Sequence, residues 1–247
     1  MSTHAHRVRG FEQRPAIHVP GWMSVRVAAL GGAVFFALFL AFASLTSGTP
    51  STTDSAQETF TYLSAHDGRL QLAAVLLGLA MPAALLFLSG LFRALREAEG
   101  GRAGLAIAAL GGGVLAAAGT VTAALILGTT ATRIAVIGLA DARLWWTMFL
   151  MSFGGTLLGL LLMIGATAIV SLETHLFARW FEVASLVLAL VSIVGAFTIG
   201  YATTGIQGTA GIAVILDSVW VFLVSIFLWR DPTLALPKGA VGKDVLG

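Results

Sequence analysis

The sequence contains no cysteine. That absence alone excludes disulfides, thiolate metal sites and cysteine nucleophiles. Charge is scarce too: 11% of residues are Asp, Glu, Lys or Arg, against about 25% in soluble domains. Lysine occurs only at Lys238 and Lys243, in the C-terminal tail, so no apolar segment carries the lysine that a retinal Schiff base requires. There is no P-loop, Rossmann glycine fingerprint, HExxH or GxSxG, and no arginine-rich voltage-sensor helix. The net charge is +2, but the basic residues are scattered among loops instead of forming one face, which argues against nucleic acid as a partner.

What is present is hydrophobic: 57% of the residues, with a mean hydropathy of +0.93. A chain this apolar has too little polar surface for water, so its solvent is lipid. Apolar runs long enough to cross a bilayer lie at Val27–Thr46, Leu70–Phe92, Ala103–Thr130, Leu144–Leu172, Val183–Tyr201 and Gly211–Trp229. Each must be a helix, because lipid offers no partners for backbone polar groups, and a β-barrel would show shorter, alternating segments. The expected fold is all-α: a six-span bundle over 27–229, with tails at 1–26 and 230–247. Ala41-Phe42-Ala43 has the form of a signal-peptidase site, but the apolar run before it exceeds the about 7–15 residues of a signal-peptide core. The uncut helix is the better reading.

Orientation follows from the arginines. If the N-terminus is cytoplasmic, segments 1–26, 93–102, 173–182 and 230–247 hold Arg7, Arg9, Arg14, Arg26, Arg93, Arg96, Arg102, Arg179, Arg230, Lys238 and Lys243. Only Arg69, Arg133 and Arg143 fall outside. The positive-inside rule therefore predicts both termini in the cytoplasm and places the chain in the plasma membrane. Trp22, Trp145, Trp146, Trp180 and Trp229 fall at span ends, as an aromatic belt requires; Trp220 alone lies inside a span. The outer segment Ala131–Arg143 is apolar enough for a short interfacial helix.

Small residues mark the packing faces. Gly111-Gly112-Gly113 and Gly119 in the third span, and the GxxxG pair Gly155 and Gly159 in the fourth, allow close helix approach. Contacts within the chain are the first expectation, and a homodimer or a partner membrane protein the second. Pro82 is expected to kink the second span.

Asp217 is the strongest chemical signal, as the only charge within a span core. About six residues from the expected outer end of the sixth span, it lies about 9 Å deep at 1.5 Å per residue. A carboxylate there costs about 2.5–3.5 kcal/mol unless it is protonated, paired or hydrated. The alternative to function is a hydrogen bond to a neighbouring helix. A second group, Tyr62, His66, Asp67, Arg69 and Gln71, begins the second span. Adjacent helical residues point about 100° apart, so a solvated helix start is the simpler reading than a metal or proton site. A third group, Arg133, Asp141, Arg143, Tyr201 and Gln207, would line an outer vestibule if the loops fold inward, with Arg143 paired to Asp217 or to an anionic ligand. Ordinary headgroup contact is the plainer alternative. Arg179 and Glu182 read as a surface ion pair, and His4, His6 and His18 lie in the N-terminal tail. No cofactor or metal is implied, and the partners expected are membrane lipids.

The stretches YLSAHDGRLQLAAVLLGLA and FLSGLFRALREAEGGRAG, and later WVFLVSIFLWRDP, resemble a class of small actinobacterial membrane proteins. The resemblance implies a six-helix fold and an actinobacterial source, and it implies no catalytic activity. The residues leave three functional readings. The first is a non-enzymatic, transporter-like or accessory membrane component. The second is a membrane-embedded enzyme acting on a lipid or isoprenoid, with Asp217 as general acid. In the third, a structural protein uses Asp217 only as polar glue.

Overall fold

The computed structural model describes residues 21–51, 53–199, 207–231 and 234, with side chains from residue 25 in the first helix and from 210 in the last. These residues form seven helices: α1 (Gly21–Leu45), α2 (Ala56–Ala65), α3 (Asp67–Ala98), α4 (Gly104–Arg133), α5 (Leu139–Thr174), α6 (Arg179–Thr198) and α7 (Gln207–Arg230). All except α2 are long and apolar enough to cross a membrane, which gives the six expected spans. Their surfaces expose Leu79, Leu125, Leu190 and Phe197, among other large apolar side chains. In lipid this outer face needs no polar cover, so the inward faces are distinguished by small and hydroxyl-bearing residues instead.

The six long helices close into a ring, packing in the order α1, α3, α4, α5, α6, α7 and back to α1. The closest seam is α4 against α5. A Cβ on Gly112 would stand 2.6 Å from the Gly159 carbonyl oxygen, and one on Gly159 would stand 2.4 Å from the Ala116 nitrogen. Gly119 meets Thr156 in the same way. Gly155 does not share in this contact, since a Cβ there would meet nothing within 4 Å. The GxxxG pair thus works through one of its two glycines, and the contact it makes lies within the chain.

Two apolar cores fill the ring. One, at the α2 end, gathers Phe42, Leu63, Leu77, Leu127 and Trp146; the other, at the opposite end, gathers Phe87, Leu95, Phe181, Val224 and Leu228. Buried hydroxyls along the helices, including Thr167 and Ser225, bond to carbonyls four residues earlier, which satisfies them without water.

The connections differ from expectation in two places. No separate interfacial helix occupies 131–143; α4 runs to Arg133 and α5 starts at Leu139. Residues 134–138 between them form a turn. Residues 56–65 form the unexpected α2, opened by a capping box in which Glu58 N–H donates to Ser55 Oγ at 3.2 Å and Ser55 N–H donates to Glu58 Oε2 at 2.8 Å. Trp146 does not join the interfacial belt. It is buried, and its Nε1 donates to the Pro50 carbonyl at 2.9 Å, fastening the segment before α2 to α5. Trp145, Trp180 and Trp229 remain exposed at helix ends. Pro82 sits on an exposed face of a continuous α3.

The opposite end is closed by tight turns. Gly100 and Gly101 adopt φ of +65° and +87° and stop α3. Glu99 then turns its carboxylate onto the N-terminus of α4, accepting from Leu105 N–H at 2.9 Å and Ala106 N–H at 3.0 Å. A carboxylate suits those free amides and the positive end of the helix dipole.

Candidate functional site at the centre of the ring

Asp217 stands on α7, seven residues into the apolar span Ala210–Arg230, about 10 Å from its start at 1.5 Å per residue, in keeping with the depth read from the sequence. The residue is 1% exposed.

Val214, Asp217, Ser218 and Val221 recur at helical spacing and present one face of α7 to a central cavity of about 50 Å³. Phe35 and Phe39 of α1, Met81 and Phe87 of α3, Ala116 and Thr120 of α4, and Phe153 and Thr156 of α5 complete its walls. The cavity lies at the waist between the two apolar cores. Thr120 and Thr156 bring their hydroxyls to 3.3 Å on the α4–α5 wall. A second, wider cavity of about 370 Å³ lies toward the α2 end, bounded by Phe42, Thr46, Pro50, Phe149, Ile199 and Gly211. Phe39, Phe153 and Val214 line both, so the two cavities adjoin.

The Asp217 carboxyl turns toward α6. Ser192 Oγ approaches Oδ1 at 3.0 Å and Oδ2 at 3.1 Å, and also reaches the Leu188 carbonyl at 3.0 Å. One hydroxyl proton thus faces three acceptors. A protonated carboxyl resolves the conflict by donating to Ser192 Oγ, which frees the serine proton for Leu188. An ionised carboxyl competes with Leu188 for that proton. Among the described residues, Ser192 is the one side chain bonded to it.

The remaining candidates do not converge on Asp217. Arg143 is exposed in the first turn of α5, thirteen residues before Thr156 of the cavity wall. Asp217 has Ser192, and not Arg143, as its partner. Arg133 and Asp141 are likewise exposed at the helix ends. Tyr201 and the side chain of Gln207 lie outside the described residues.

At the α2–α3 junction, the His66 ring stacks on Tyr62 with centroids 4.3 Å apart, and its Nδ1 lies 2.9 Å from the Tyr62 carbonyl. Asp67 instead accepts from the Gly68 N–H. Arg69 spans to α1, donating to the Ser44 and Ser47 carbonyls at 3.1 and 3.2 Å, and so caps that helix. Gln71 is exposed on a groove between α3 and α4. Among the described residues, no group of three or more His, Asp or Glu could hold a metal. His4, His6 and His18 lie outside them.

Glu182 corrects the expected surface ion pair with Arg179. It is 1% exposed, and its Oε1 accepts from Ser171 Oγ at 3.0 Å, while Arg179 points outward. An i,i+3 spacing puts two residues on neighbouring faces without saying which face is buried. Here Glu182 shares the inward stripe of Phe181, Ser185, Ala189 and Ser192.

The fold and site define a multi-pass α-helical membrane protein with an acid at the centre of its ring. The chain matches no family model, no curated protein and no solved structure.

Proposed function

We propose that the chain is a transporter-like component of the plasma membrane, coupled to protons through Asp217. One observation carries the reading: an acid buried within an apolar span lines a cavity, and its side-chain partner among the described residues is a serine with one proton for three acceptors. Such an acid changes its hydrogen bonding whenever it gains or loses a proton, and intramembrane acids are characteristic of proton relays. The positive-inside bias supports cytoplasmic termini. In that orientation the wider cavity faces outward and supplies the route to Asp217. The size of the central cavity favours this reading over lipid chemistry. About 50 Å³ suits a few waters or a small ion, since a cavity needs about 10–15 Å³ to hold one water.

The test is an acid pulse applied outside proteoliposomes that carry a lumenal pH dye. The wild-type chain acidifies the lumen. Asp217→Asn, checked by circular dichroism for retained helix, falls to the rate of protein-free vesicles. Asn flux equal to wild type would overturn the proposal.

A further inference from the structure

Glu182 is a second acid withdrawn from solvent, and the role proposed for Asp217 does not use it. Its Oε1 has Ser171, but its Oε2 is buried with no partner among the described residues. Ionised, that oxygen lacks a donor; protonated, it lacks an acceptor. Buried polar groups are almost always satisfied, and a mobile species able to bond one carboxyl oxygen, namely water or the proton it carries, would complete this site.

Other ionisable groups leave this position free. The helices packed against α6 are α5 and α7. At this end they bring Glu173 and the following His175, and Arg230 with the adjoining Asp231; α6 itself adds Arg179. All are exposed, and the bond recorded at Glu182 is the one from Ser171.

Glu182 stands ten residues along α6 from Ser192, the partner of Asp217, about 15 Å at 1.5 Å per residue. Trp220 lies three residues beyond Asp217 on α7, and Ser185 three residues beyond Glu182 on α6. Each step is about 4.5 Å along its axis at 1.5 Å per residue. Between them, Trp220 Nε1 donates to Ser185 Oγ at 2.8 Å. Phe181 stacks on Trp220 with centroids 6.1 Å apart, and Phe227 meets Phe181 edge-on at 5.1 Å. An indole N–H donates and cannot accept, so no proton passes through Trp220 while this bond holds. The two acids lie on opposite sides of one closed contact, and only Asp217 adjoins the central cavity.

We infer that Glu182 is the second proton-binding carboxyl of the chain and receives the proton released by Asp217 when Trp220 leaves Ser185. The transfer breaks the O–H bond at Asp217 and forms one at Glu182, through the Ser185 hydroxyl or water, with no change of oxidation state. The inference rests on Asp217 acting as a proton carrier.

Infrared difference spectra of the full chain in liposomes, recorded across a pH jump, separate the two acids. Two protonated-carboxyl bands should respond, one lost in Asp217→Asn and the other in Glu182→Gln. Glu182→Gln should still load Asp217 yet lose lumenal acidification. Ser171→Ala, which keeps the acid but removes its donor, should shift the second band without abolishing it, and so covers the case in which Glu182→Gln fails to fold. If neither Glu182→Gln nor Ser171→Ala alters any carboxyl band, Glu182 is structural and the inference fails. If the Glu182 band is present but Asp217→Asn changes neither spectrum nor flux, it is the reading of Asp217 that fails, and the hand-over with it.

Discussion

Alanine at Gly159 and alanine at Gly155 should act in opposite directions, although the two glycines form one sequence motif. A Cβ on Gly159 would stand 2.4 Å from the Ala116 nitrogen, 2.6 Å from the Gly112 oxygen and 2.8 Å from the Ala116 Cα, all backbone atoms. Reaching ordinary contact at 3.4 Å requires α4 to retreat by 1 Å. A gap of about 0.5–1 Å forfeits a quarter to a half of each dispersion contact it opens, and α4 against α5 is the most extensive helix pair in the ring. Overpacking of this kind costs about 1–3 kcal/mol. The better helix propensity of alanine returns about 1 kcal/mol, leaving Gly159→Ala destabilised by up to about 2 kcal/mol. Gly155 has nothing within 4 Å to collide with, so Gly155→Ala keeps only the propensity term and is stabilised by up to about 1 kcal/mol. Reversible unfolding in mixed micelles, followed by tryptophan fluorescence and circular dichroism, measures both. Equal shifts of the same sign would refute the packing described for α4 and α5.

Three further outcomes are expected. Glu58 is held below its usual value of 4.5 by the Ser55 hydroxyl and then by the Ser55 N–H. Its support of α2 is therefore present above the ordinary glutamate range and lost as pH falls through the lowered value; amide exchange at Ser55 should accelerate there, and Ser55→Ala should move the transition upward. Arg69→Gln removes the bonds to Ser44 and Ser47 at a cost of about 1 kcal/mol, and faster exchange confined to the end of α1 would show it. Trp146→Phe leaves the Pro50 carbonyl without its indole donor, costing about 1 kcal/mol; protease should then cut between α1 and α2, and unchanged resistance would count against that clasp.

The spans were legible because continuous apolar runs bounded by charges leave few alternatives in lipid. Asp217 stood out for the same reason, as a lone charge among them. Its partner did not, because Ser192 resembles every other span serine, and only the antiparallel docking of α6 on α7 brings the two together. Glu182 was misread since apolarity runs all around these helices and gives no sign of which face turns inward. The start of α2 was written in plain view: Ser55 and Glu58 stand at capping-box spacing, within a stretch too polar to span.

Access to the central acid is the most direct test, and the absence of native cysteine makes it clean. Asp217→Cys would be exposed to silver ions from one side of sealed, oriented vesicles, then denatured and probed for remaining thiol. Ser51→Cys and Gly239→Cys mark the two sides. A ring that opens toward the α2 end and is closed by Trp220 predicts that silver protects positions 51 and 217 from the same side, and position 239 only from the other. Protection of position 217 from the Gly239 side alone, or from neither side, would contradict it.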